Sequence, residues 1–490
     1  VDATYYVWEK STGMSEDMTF YHKSGMELRS VSFDIEGNAI YIDKEYDDLG
    51  NLIRESMPYY RNDEKLYVLN VYDKYNRLVE RRLPNGITSR FKHDGNTLVT
   101  EFSTVDGKKQ TKKETYNIMG WLVETIDNGS NNILYDYYSD GSVKSASIEK
   151  NPNSKITFTY DNLRNKKSMC DPNYGLVSYE YDALGNLKKV NTPSGDKFEF
   201  QYDAIGRMLC RSEMDVELNE MKSTRWIYDD ARGRDGVLKK VVSDNHEIDY
   251  VYDNALRLVG KIETVKGKEY KTLYGYDPAS RVSSIIYPSG FELAKVYSNS
   301  GYEKEIYDSR NNIMLWRTNE TTANGLITRY SLGNGIETEM CYNPRTLMVE
   351  TIKASDSDRI LQNMNYVYDG WGNVKSRSKH ERDKIVEEFE YDEHNRLISV
   401  CHNGKMQAFM DYDYLGNIEE KVEDGIPVLY STVYDQRKPN VLMQAKTDVD
   451  KMAIGFGRDM KYSVFDNLIS VSQGDDFMEI DYGCENNRVF

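Results

Sequence analysis

A residue that performs chemistry is placed once, at its site. The reactive residues of this chain recur instead. Aspartate returns at Asp47, Asp182, Asp203, Asp369 and Asp413, each directly after a tyrosine and three residues before a glycine. In that setting the carboxylate is a turn former, accepting a hydrogen bond from the backbone N–H two residues on. The six histidines, His22, His93, His246, His380, His394 and His402, show no metal spacing such as His-Glu-x-x-His. Cys401 and His402 are adjacent, but neighbours on a strand face opposite sides and cannot form a nucleophile–base dyad there.

The remaining candidates are weaker. Five cysteines, Cys170, Cys210, Cys341, Cys401 and Cys484, are odd in number and make no Cys-x-x-Cys pair, so they read as isolated thiols. Gly455-Phe456-Gly457 lacks the third glycine of a dinucleotide loop. Asp448 and Asp450 could share a strand face and recruit calcium, although a solvated acidic loop is the simpler reading. Trp8, Trp121, Trp226, Trp316 and Trp371 could form a glycan platform, with Trp121 and Trp371 inside turn motifs, yet packing between hairpins is the commoner use of such residues. No catalytic residue, cofactor or metal is expected, and the chain reads as a non-enzyme.

The elements that hold these residues form a degenerate repeat of about 21 residues, Tyr-Asp-x-x-Gly-Asn/Arg-aliphatic. Clean copies start at Tyr46, Tyr181, Tyr202 and Tyr412, and Tyr368-Asp369 with Gly372 makes another. The steps from Tyr160 to Tyr181 and from Tyr181 to Tyr202 are both 21 residues. A fixed period in this range marks a stacked array. Before each Tyr-Asp the pattern alternates, as in Lys197-Phe198-Glu199-Phe200-Gln201-Tyr202, which is the period of a half-buried strand. Asp then opens a tight turn, Gly takes a positive φ, and an aliphatic begins the return strand, so each unit is a hairpin.

The anchors run Tyr46, Tyr72, Phe91, Tyr116, Tyr138, Tyr160, Tyr181, Tyr202, Tyr228, Tyr252, Tyr276, Tyr297, Tyr342, Tyr368, Tyr391, Tyr412, Tyr434, Tyr462 and Tyr482. The gap between Tyr297 and Tyr342 should hide one unit, near Tyr307-Asp308 or Tyr330. Extra length should fall in loops such as 214–224 and 354–362, and Glu213–Met221 is the best short helical candidate. The expected fold class is all-β, an array of stacked hairpins forming a curved, spiralling sheet, with residues 1–490 as one continuous domain. With 490 residues, 39% hydrophobic and 12% aromatic, the composition supports a folded chain. The net charge of −17 argues against nucleic acid as a partner. No apolar run approaches 18 residues, so no membrane span is expected.

The spacing resembles that of the Rhs or YD-repeat family. Two longer stretches carry the resemblance further: Glu27-Leu28-Arg29 through Phe33-Asp34-Ile35-Glu36-Gly37-Asn38 to Pro58-Tyr59, and Tyr287-Pro288-Ser289-Gly290-Phe291 through Leu332-Gly333-Asn334-Gly335-Ile336. Both look like the arrays of large bacterial secreted proteins related to the B and C components of insecticidal toxin complexes. The resemblance implies a β-ribbon that spirals into a hollow shell around a C-terminal toxic polypeptide, closed by a core segment that in many members frees the toxin by autoproteolysis. Teneurins use a similar shell for adhesion at the cell surface. No core segment of the Arg-Tyr-Tyr-Asp-Pro type occurs here, so no autoproteolytic aspartate carries over. The chain is then expected to be a shell-wall fragment of a larger secreted or surface protein. Its expected partner is its own C-terminal toxin or core segment; the alternative is a surface scaffold that binds a glycan or a protein.

Overall fold

Alternating aromatic and polar residues separated by Asp- and Gly-rich turns favour extended chain throughout. The computed structural model describes residues 3–128, 131–216, 219–229, 236–357, 359–380, 384–437, 439–440, 442–446, 459–462, 468–473 and 476–480. Among the described residues there is no helix. Forty strands, from Tyr5–Lys10 to Leu442–Lys446, form one sheet. Each strand pairs antiparallel with the next, as in Lys197–Tyr202 with Met208–Asp215. Only Tyr59–Tyr60 departs from this order among the described strands: Leu52–Ser56 skips it to pair with Tyr67–Tyr72, and Tyr59–Tyr60 pairs with Ala39–Tyr46. Three further strands, Asp459–Tyr462, Leu468–Gln473 and Asp476–Glu479, make a separate sheet. Along Lys197–Tyr202 the polar residues are exposed, Phe198 is buried, and Phe200 and Tyr202 are half-buried, as the alternation requires.

The sheet corrects several expectations. The described residues of Glu213–Met221 are not helical: Met214 faces Met221 and Asp215 faces Glu220 across paired strands. Its run of helix-forming residues yields to the pairing that the neighbouring strands impose. The extra length there, and near residues 354–362, lengthens strands to Met208–Asp215, Glu220–Tyr228 and Ile360–Tyr368 more than it enlarges loops. Phe91 lies in mid-strand opposite Thr100, and the turn beside it is built on Asp94 and Gly95. Tyr137, not Tyr138, is the anchor of its unit: Tyr137 faces Val143, and Tyr138 takes the aspartate position. The hidden unit turns at Thr322–Gly325, where two threonines replace Tyr-Asp. Tyr307-Asp308 sits at a turn on the opposite edge, and Tyr330 lies within a strand. Asp448, Asp450, Gly455–Gly457, Tyr482 and Cys484 lie outside the described residues.

Consecutive turns fall alternately on the two edges of this ribbon. One edge carries the Tyr-Asp turns and is called the Tyr-Asp rim; the other is the opposite rim. Contacts between residues far apart in sequence show that the ribbon winds back on itself. The Arg281 guanidinium donates to the Gly13 carbonyl, and Tyr60 donates to that of Thr321. Asn128 reaches Glu393, Asn153 reaches Gln436 and Asn173 reaches Asn440. The separations span 261 to 283 residues. In every case the opposite rim of the first winding meets the Tyr-Asp rim of the second.

From the turn at Asn173 to that at Asn440 the ribbon runs through 23 strands. At about 4.8 Å per strand, one winding has a circumference of about 110 Å and a diameter on the order of 35 Å. The wall is a single layer. Among the described residues the fully buried large side chains are Ile248, His246 and Val241. The accessible surface is 29991 Å², against about 19,000 Å² for a filled globular chain of this size.

Candidate functional site

The repeating turn is built the same way at each copy. Asp47 Oδ1 accepts from the backbone N–H of Leu49 and Asn51, at 3.0 and 2.8 Å, while Oδ2 accepts from Asn51 Nδ2 at 2.9 Å. Asp182 holds Leu184 and Asn186 in the same way, Asp369 holds Trp371 and Asn373, and Asp413 holds Leu415 and Asn417. At Asp203 an arginine replaces the asparagine, and Arg207 Nε reaches Oδ2 at 2.6 Å. The glycine N–H closes the turn onto the aspartate carbonyl, at 3.1 Å for Gly185. Gly50, Gly185, Gly206, Gly372 and Gly416 all have φ between 84° and 94°, a region that costs an L side chain about 1–2 kcal/mol. Hydrogen bonds, the one from the Asn51 side chain foremost, keep the exposed Asp47 carboxyl below its usual range, and those from Asn186 do so at Asp182. Burial opposes the charge on Asp369, but Lys108 and Asn373 overcome it and lower its pKa.

The motif tyrosine links one unit to the previous one. The Tyr181 hydroxyl donates to the Lys166 carbonyl at 3.0 Å, Tyr368 to Val349 at 2.9 Å and Tyr412 to Leu397 at 2.9 Å. The acceptor is each time the residue that opens the preceding return strand. Tyr72, Tyr228, Tyr276, Tyr342 and Tyr434 repeat the link. Tyr46 and Tyr202 occupy the same half-buried place in their units. A neutral bond of this kind is worth about 1 kcal/mol net. At Arg207 and Arg396, each the sixth motif residue, the guanidinium also lies over the next motif tyrosine, 4.4 Å from the Tyr228 centroid and 4.7 Å from the Tyr412 centroid, whereas Arg77 lies over Tyr75 of its own turn. The sequence reading gave this position no role. Its signal was restriction to Asn or Arg, two side chains that can each bring an N–H to the aspartate.

The seam between windings forms a second constellation, one that spacing alone could not reveal. Lys108 Nζ lies 3.1 Å from Asp369 Oδ2. Asn173 and Asn440 exchange two hydrogen bonds, and Asn440 continues to Asn417. Asp34 holds its own turn and also accepts from the Tyr60 hydroxyl, which donates toward Thr321 as well. Burial, followed by the bond to Asp34, pushes the Tyr60 phenol well above its ordinary value. Beside this contact lies a recess of about 480 Å³ lined by Ile35, Ile40, Pro58, Tyr302 and Ala323. Nearby, Asp43 accepts from Arg29 at 2.6 Å, Tyr59 at 2.7 Å and Lys65 at 2.8 Å. Burial works against the Asp43 charge, but these donors outweigh it and hold the carboxyl far below the usual range. Each oxygen of Asp43 is committed to a fixed donor, which suits a joint and leaves it no free role as a base.

The tryptophans do not assemble. Trp121 packs on Tyr137 with centroids 5.3 Å apart, Trp316 stacks on Tyr330 at 4.0 Å, and Trp226 lies against Val241 and Ile248. Trp371 sits at the seam and Trp8 is exposed on the first strand of the sheet. Cys170, Cys210, Cys341 and Cys401 are free thiols. Among the described residues no group of His, Cys, Asp and Glu is arranged to hold a metal ion, and no helix is long and apolar enough to cross a membrane.

A one-layer antiparallel ribbon, turned by Tyr-Asp hairpins and wound past a full revolution, is the fold of a YD-repeat shell. The sequence matches the family model for the Teneurin YD-shell over residues 14–234. Among solved structures, the fold matches that of TcdB2-TccC3 with a TM-score of 0.82, at 16% identity over 96% of this chain. It matches a mutant of the Photorhabdus luminescens Tc holotoxin pore with a TM-score of 0.81, again at 16% identity over 96% of this chain. The chain spans 30% of the length of the first and 29% of the second. A search of curated protein sequences finds no match.

Proposed function

We propose that this chain is a non-enzymatic wall segment of a hollow shell, one continuous domain, whose function is to enclose a polypeptide. The observation that carries this reading is the seam. A single-layer ribbon that meets itself 261 to 283 residues further on encircles a space. The contents would be an unfolded or toxic segment of the same protein, and the whole would be secreted or held at the cell surface. Tyrosine links and turn hydrogen bonds make the wall stiff, and stiffness is what containment requires. The scatter of the tryptophans, with Trp121, Trp226 and Trp316 packed on neighbours and Trp8 exposed alone, favours this reading over a glycan-binding scaffold.

Protease protection tests it. The complete gene product would be digested with and without Gly370→Val. At Gly370 an added Cβ would come within 2.4 Å of Asp106 Oδ1 across the seam. A polypeptide from outside residues 1–490 should survive digestion in the native protein and be cut once the seam is forced apart. Digestion of everything outside the wall in the native protein would refute containment.

A further inference from the structure

Two windings meet around the recess beside the Tyr60 contact, and both build it. The first supplies Ile35, Ile40 and Pro58; the second supplies Thr318, Ala323 and Ile327. Its volume of about 480 Å³ falls within the range of small-molecule sites, about 300–1,000 Å³, and its walls are mainly apolar, as such sites require. Ile40 shares the parity of Tyr46 along Ala39–Tyr46, so the recess lies on the face that carries the motif tyrosines. A second recess, of about 570 Å³, is lined by Ala39 and Tyr41 on the other face. Asp34 and Thr321 border both, so the bonds that join them through Tyr60 form the partition between the two.

The polar groups of the first recess differ in what they still have to offer. Asp34 Oδ1 accepts from the N–H groups of Glu36 and Asn38, and Oδ2 accepts from Asn38 Nδ2 and the Tyr60 hydroxyl. Glu303 is held by Lys295 at 2.7 Å. Thr318 is only 4% exposed, and its hydroxyl accepts from Trp316 Nε1 at 3.1 Å. A hydroxyl also has one proton to give, and among the described residues no acceptor takes it. A buried donor without an acceptor is costly, and a ligand that brings one removes that cost.

We infer that the recess binds a neutral, largely apolar small molecule with one hydrogen-bond acceptor, of the aryl ketone or ester class, whose oxygen takes the Thr318 proton. The charge of Asp34 disfavours an anion, and its filled lone pairs leave a cation no ligand there. Because both windings form its walls, the site exists only while the seam is closed. A bound molecule therefore holds the seam shut, the more so as its concentration exceeds Kd.

Prodan, a fluorescent naphthyl ketone, tests the inference on the complete gene product. Its binding should saturate and shift its emission to the blue. Ala323→Phe fills the recess and should weaken binding by about tenfold or more. Thr318→Val keeps the shape, removes the hydroxyl and should weaken binding by about fivefold. The Prodan analogue with propyl in place of its propionyl group should bind Thr318→Val as it binds the native protein, which separates a lost hydrogen bond from a disturbed fold. Saturating Prodan should also slow amide exchange in the seam turns at residues 34–38 and 322–325. Four results would each overturn the inference: no saturable binding, binding unchanged in Ala323→Phe, equal loss of ketone and propyl analogue in Thr318→Val, or exchange that Prodan leaves unaltered. None of them bears on whether the wall encloses a polypeptide.

Discussion

The two rims of the ribbon are made by different rules. On the Tyr-Asp rim one turn recurs, with a glycine or a substitute at positive φ and a register shift just before the motif tyrosine, as at Glu180/Tyr181, Gln201/Tyr202 and Asp411/Tyr412. On the opposite rim the turns vary. Lys266-Gly267, Asn403-Gly404 and Asp424-Gly425 are two-residue turns with both residues at positive φ, while Leu83, Thr192 and Leu332 begin longer ones. A bulge bends its strand and increases the local twist. Register shifts recur at nearly every Tyr-Asp turn and at fewer turns of the opposite rim, such as Ala354/Ser355 and Lys421/Val422, so the Tyr-Asp rim contributes most of the bend. The opposite rim mixes the same glycine turn, at Leu83, Thr192 and Leu332, with two-residue turns.

The largest contrast should come from disturbing the two rims separately. Gly185→Val forces a β-branched residue to φ +85° and should cost about 2–3 kcal/mol, read as a lower denaturation midpoint. Lengthening the loop at Asn403-Gly404 by three flexible residues should cost under about 1 kcal/mol, because closure entropy grows slowly with length. Equal costs would erase the distinction between the rims. A smaller effect of opposite sign is expected from Leu256→Gly. Leu256 sits at φ +61° where its neighbours use glycine, so the change should stabilise by about 1 kcal/mol. An unchanged or lower midpoint would show that the side chain contributes more than the strain removes.

Acid should give the smallest and most local effect. Asp47, Asp182 and Asp203 have folded pKa values below the ordinary one, so their stabilisation is complete above the unfolded value near 4 and is lost as pH falls through the folded values. At the opposite rim Leu83, Tyr287 and Leu332 hold the equivalent position and cannot titrate as carboxylates, whereas Asp34 keeps the aspartate turn there and also has a lowered pKa. Amide exchange should therefore accelerate at the turns of Asp47, Asp182 and Asp203 before those of Leu83, Tyr287 and Leu332 as pH drops below about 4. Simultaneous loosening of both sets of turns would remove the role given to the aspartates.

What could be read from the sequence follows the same division. The Tyr-Asp rim was legible because one local rule, Asp to open and Gly to close, produces it nearly every time. The reading failed where the rule was met by other residues. Thr322 does the work of aspartate and went unnoticed, and Tyr138 looked like an anchor because it stands beside the real one, Tyr137. Glu213–Met221 misled in the other direction, since local helix propensity conflicts there with strand pairing. The seam was illegible because its partners, such as Asn173 and Asn440, share no spacing with the repeat and meet only through the accumulated bend of 23 strands.

The length of a winding also sets an order of events during synthesis. Hairpin contacts lie within one unit and can form as soon as each unit emerges, whereas a seam contact must wait for about 270 further residues. At roughly 5–20 residues per second, a rim segment stays without its partner for roughly 15–50 s. The nascent chain is therefore an open arc for most of its synthesis, bare along the edge that its own later sequence will cover. A polypeptide already present in that interval meets an open arc, whereas a segment that follows the wall in sequence emerges only after the seam partners are made, and the translation rate, as much as the amino-acid sequence, decides how long the opening lasts.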